Sequence, residues 1–100
     1  MTILGTITPT EDINGTSYQG VIVTTYAELV AALGEPHYND GDKTTAEWDF
    51  VTDKGIVFTI YDYKEDSTPL FEYEWHIGGM DQQVIDAVKM IFPAKKVEVK

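Results

Sequence analysis

The chain has 100 residues, with 17 Asp and Glu against seven Lys, no Arg, and a formal charge of −10. Arg is the side chain that forks onto phosphate and stacks on bases, so direct binding to nucleic acid is not expected of an acidic chain that lacks it. The absence of Cys excludes disulfides and thiolate metal sites, and 43% apolar residues suffice for one modest core in a single domain spanning 1–100.

The opening Met1-Thr2-Ile3-Leu4-Gly5 has no basic leader, and no run nears the roughly 18 apolar residues of a membrane span, so a soluble, cytoplasmic protein is expected. Thr2–Thr8 and Ser17–Thr24 read as two short strands or a hairpin, separated by a segment ending in the turn signal Asn14-Gly15. Thr25 and Glu28 have capping-box spacing, Tyr26, Leu29, Val30 and Leu33 form a helical stripe, and Gly34 with Pro36 stops it. The spacing predicts a helix over Tyr26–Leu33. His37–Thr45 is a polar loop. The period then changes to two, with Ala46, Trp48 and Phe50 facing one way and Glu47 and Asp49 the other.

Asp53-Lys54-Gly55 turns the chain into a second strand, Ile56–Tyr63, and Lys64–Pro69 into a third, Leu70–Ile77. The third strand is expected to bury Phe71, Tyr73, Trp75 and Ile77, to expose Glu72, Glu74 and His76, and to end at Gly78-Gly79. A second helix follows from about Met80 to Phe92, capped by Asp81, and Val97 with Val99 suggests a last edge strand. The expected class is α+β: a twisted, mainly antiparallel sheet of about five strands with two helices packed on one face.

No pattern in the chain names a reaction. Ser17 and Ser67 lie in no nucleophile elbow, and a phosphate-loop signature is absent. Asp40-Gly41 followed by Glu47 imitates the end of a calcium loop, but Pro36 and Tyr38 occupy the first and third ligand positions and cannot chelate. Neither an enzyme, nor a cofactor, nor a metal site is expected.

Charge offers a direction instead. Residues 35–74 hold eleven acids against three lysines. The sheet face opposite the helices is expected to carry Glu47, Asp49, Glu72 and Glu74 with Tyr61 and Tyr63 among them. Carboxylates interleaved with tyrosine offer contact area to a Lys- and Arg-rich partner. The same residues also read as an ordinary solvated surface. A different binding mode centres on Trp75, His76, Gly78 and Gly79, where a glycine turn at a helix start would hold an anion and an aromatic ring would stack on a base. The plainer reading of that segment is a tight turn with Trp75 in the core.

The strings Tyr26-Ala27-Glu28-Leu29-Val30-Ala31-Ala32-Leu33-Gly34-Glu35-Pro36, Ala46-Glu47-Trp48, Ile60-Tyr61-Asp62-Tyr63-Lys64 and Trp75-His76-Ile77-Gly78-Gly79 occur in that order. Over roughly residues 20–92 this resembles a family of small proteins scattered through tailed-phage genomes. The resemblance brings no activity and no site residues with it. It implies a viral origin and, by analogy, an inhibitor of a host or defence protein. The charge of −10 and the absence of Arg point to a basic, nucleic-acid-binding surface as the one occupied. A sponge for a nucleotide-derived signal is the alternative.

Overall fold

The computed structural model describes residues 7–9, 15–36, 46–52, 54–63 and 67–100. Its elements are β1 (Ile7–Pro9), β2 (Ser17–Thr24), α1 (Tyr26–Leu33), β3 (Glu47–Thr52), β4 (Val57–Tyr61), β5 (Tyr73–Gly79), α2 (Gln83–Ile91) and β6 (Lys96–Val99). The strands form one six-stranded sheet in the order β1-β3-β4-β5-β2-β6, and every neighbouring pair is antiparallel. The fold is α+β, and no helix among the described residues is long and apolar enough to cross a membrane.

The expected meander of three strands is β3-β4-β5. At its first turn, the Thr52 hydroxyl accepts from the amides of Lys54 and Ile56, and Gly55 adopts φ +83, where a side chain would be strained. β1 and β2 do not form a hairpin; β1 pairs with β3 and β2 with β5, which places them well apart in the sheet. Gly15 takes the positive φ expected of a turn glycine, whereas Asn14 lies outside the described residues, as does the whole His37–Thr45 loop.

The Thr25 half of the expected capping box forms at α1. The Glu28 amide donates to the Thr25 hydroxyl at 3.2 Å, and that hydroxyl donates to the Glu28 carboxylate at 3.3 Å. Lys95, just before β6, also donates to Glu28 and ties the start of α1 to the far end of the chain. Bonds from Lys95 and Thr24 hold this carboxyl at about 2, below its ordinary 4.5. Helix α2 begins later than expected, at Gln83, because Met80–Gln82 form a bend and a turn. Asp81 nevertheless accepts the Gln83 amide at 2.9 Å, so it satisfies one of the free donors at the helix start.

Both helices cover the face built from Trp48, Phe50, Phe58, Ile60, Trp75 and Ile77. Leu29 and Leu33 from α1, and Val84, Ile85 and Val88 from α2, complete a single buried cluster there. The two indoles meet edge to face, with ring centroids 5.6 Å apart. Each satisfies its N–H on a backbone carbonyl, Trp48 on Gly34 at 2.7 Å and Trp75 on Thr24 at 3.2 Å. Two glycines let α2 lie close to the sheet. A Cβ on Gly79 would stand 2.7 Å from Val84, and one on Gly20 would stand 2.8 Å from Ile85.

Two expectations for the third strand fail. β5 starts at Tyr73, so Leu70 and Phe71 fall in the segment before it, and Phe71 is 74% exposed rather than buried. The strand also runs through Gly78 and Gly79, which pair with β2 on one side and β4 on the other.

Candidate functional site

The register assembles the sheet face away from the helices. Glu47 on β3 stands opposite Tyr61 on β4, Tyr61 opposite His76 on β5, and His76 opposite Val21 on β2. Val21 pairs in turn with Glu98 on β6. A neighbouring row runs Asp49, Thr59, Gly78 and Tyr18. His76 sits at the centre of a ring cluster, with centroids 4.8 Å from Tyr18 and 5.4 Å from both Tyr61 and Tyr63. Tyr61 lies nearly parallel to the imidazole, at 23°. Gly78 is required beside this cluster, because a Cβ there would stand 2.4 Å from the Thr59 hydroxyl and 3.5 Å from the Tyr61 ring.

Tyr18 reaches this face through a register shift. Strict alternation would put Tyr18 on the same side as Gly20 and Ile22, against α2. An irregularity between Tyr18 and Gly20 turns it over, so that it pairs with Gly78 while Gly20 pairs with Ile77. Gln19, at the irregularity, donates to the Ser17 hydroxyl at 3.1 Å and to the Gly79 carbonyl at 3.2 Å.

The acids are arranged differently from the expected exposed patch. Glu47 and Asp49 do point to this face, but they are only 8% and 6% exposed. Glu72 falls before β5 and is exposed there, outside the strand; Glu74 is exposed on β5 itself. The neutral strand β4 separates the acids of β3 from Glu74, a gap of two strand spacings or roughly 10 Å. Like charges therefore do not stand directly opposite one another. Tyr18 and Tyr63 are each 38% exposed and Tyr61 is half-buried.

Burial pushes the His76 imidazole below its ordinary 6.5, although Glu74 and Asp62 pull it back upward. Its Nδ1 is buried and accepts no hydrogen bond among the described residues. Burial likewise raises the Tyr61 phenol, helped by Glu47, Tyr18 and Tyr63. The unfolded chain thus takes up a proton at His76 before the folded one does. This contribution to stability is complete above pH 6.5 and is lost as the pH falls through the folded value. Thermal melts are expected to drop below pH 6.5, and His76→Gln should flatten that part of the profile. Glu28 acts in a separate window, below pH 4.5.

The second set of candidate residues does not converge. Trp75 is fully buried among core side chains, while His76 faces the opposite side of the sheet. Gly78 and Gly79 lie within a strand paired on both sides instead of forming a turn at a helix start. Among the described residues, no three His, Asp or Glu side chains gather to hold a metal. Asp62, fully buried just past β4, accepts the Ala46 amide at 3.1 Å and so helps to fix the end of the β3-β4 pair. Protein-family models, curated proteins and solved structures yield no match to this chain.

Proposed function

We propose that the protein is a binding module without catalytic activity. It docks through the tyrosine-and-carboxylate sheet face onto a basic, nucleic-acid-binding surface of a host or defence protein, and inhibits it in the host cytoplasm. One observation carries this reading: Tyr18, Tyr61 and Tyr63 gather around His76 on a partly exposed sheet face bordered by Glu74, in a chain of net charge −10. Rigid aromatic rings supply contact area at small entropic cost, and the exposed carboxylates of Glu74 and Glu98 complement lysine and arginine. The charge would also steer the encounter and oppose competing nucleic acid. The resemblance to tailed-phage proteins favours a target in the infected cell. The nucleotide-sponge reading has no comparable support, since its four residues are divided between two faces.

Charge reversal tests the proposal. Glu72→Lys with Glu74→Lys changes two exposed side chains and should leave the fold intact. In a pull-down from host lysate, the wild-type protein is expected to retain a basic protein that is lost at high salt, and the double variant to retain far less of it. Equal retention by both proteins would rule the face out as the binding surface.

A further inference from the structure

We propose that the exposed ring of Tyr18 is a cation subsite of this face, occupied in the free protein by the chain's own Lys100 and taken over by a lysine or arginine side chain of the partner. The proposal rests on the binding-module reading and adds the position and chemistry of one contact. The Lys100 ammonium lies over the Tyr18 ring, 5.8 Å from its centroid, within the distance at which the ring quadrupole attracts a cation. The placement is set by the backbone, because the Lys100 amide donates to the Gln19 carbonyl at 3.0 Å. That carbonyl belongs to the irregular segment that turns Tyr18 onto this face.

The choice of partner by Lys100 is informative. The chain has ten more acids than lysines, yet the ion pairs found among the described residues belong to Lys95 with Glu28 and Lys96 with Glu98. Lys100 instead projects over an aromatic ring that is itself in contact with the His76 cluster. A cationic side chain from a basic partner would find the same ring by displacing the exposed Lys100. The intramolecular contact therefore competes with the intermolecular one, and removing it should strengthen binding.

A decalysine peptide is a suitable probe, with affinity measured by calorimetry at low salt. Lys100→Gln should bind it about two- to fivefold more tightly than Lys89→Gln, the range expected for one exposed cation–π contact. Lys89 is exposed on α2, so its variant gains the same acidity away from Tyr18. Tyr18→Leu should weaken binding and abolish the advantage of Lys100→Gln when the two are combined. Equal affinities for the two Gln variants would overturn the subsite, as would a Tyr18→Leu protein that is folded by circular dichroism and binds normally. The Glu72→Lys, Glu74→Lys protein separates the two levels of the account. If it loses affinity while Lys100→Gln shows no advantage, the face remains and the subsite falls; if decalysine binds it as well as the wild type, the face falls too.

Discussion

Gly20→Ala is expected to destabilise the protein by about 3 kcal/mol, the upper part of the range for overpacking a filled site. The added Cβ would stand 2.2 Å from the Glu98 carbonyl oxygen, a backbone atom that cannot rotate away. It would also stand 2.8 Å from the Ile85 methyl, which can move. Relief therefore requires β6 to separate from β2, with loss of the pairing that includes Gly20 with Val99. Gly79→Ala provides a comparison, because the three atoms nearest its Cβ all belong to the side chain of Val84. A shift of α2 should ease that contact, so its cost is expected to be smaller, about 1–2 kcal/mol. Urea denaturation of both variants checks the order. If Gly20→Ala were the milder of the two, the close approach of β2 to β6 would be wrong.

Trp75→Ala is expected to cost about 3–5 kcal/mol. The indole is fully buried and makes edge contacts with Trp48 and Tyr73, at centroid distances of 5.6 and 5.2 Å. Truncation would leave a cavity beneath both helices and remove the donor that reaches the Thr24 carbonyl. His76→Ala, one position along the same strand, should cost less than about 2 kcal/mol, because that side chain is only half-buried and lies on the open face. Its loss should register instead in binding, since it removes the ring on which Tyr61 stacks. Equal destabilisation by the two substitutions would contradict the division of β5 between a core face and a binding face.

Local punctuation made much of the fold legible. The Thr25–Glu28 box and Gly34 mark both ends of α1, and strict alternation in Glu47–Phe50 gives the faces of β3 correctly. Alternation failed where the backbone departs from it. Tyr18 belongs to a run whose period places it in the core, and only the irregularity before Gly20 turns it outward. Gly20 was the available signal, since a glycine within a strand pattern often marks a bulge or a close approach. Gly78-Gly79 reads instead as a strand end and tight turn, whereas the structure continues the strand through both. Here the glycines serve Tyr61 and Thr59 on one face and Val84 on the other, and such long-range contacts are not visible from local sequence. Burial of Glu47 and Asp49 was hidden for a related reason. Their direction follows from period two, but their burial depends on long-range packing that local sequence does not show. The cluster on His76 likewise needs β2, β4 and β5 side by side.

Net charge alone would draw a basic partner to any acidic patch, including Glu35 beside α1 and Asp86 on α2. The most direct measurement is therefore the map of amide shifts in a proton–nitrogen correlation spectrum as decalysine is added. Perturbations are expected to concentrate at Tyr18, Tyr61, Tyr63, Glu74, His76 and Glu98, with little change along α1 and α2. Shifts centred on Glu35 or Asp86, or spread evenly over all acidic positions, would show that the tyrosine-rich face is not the binding surface.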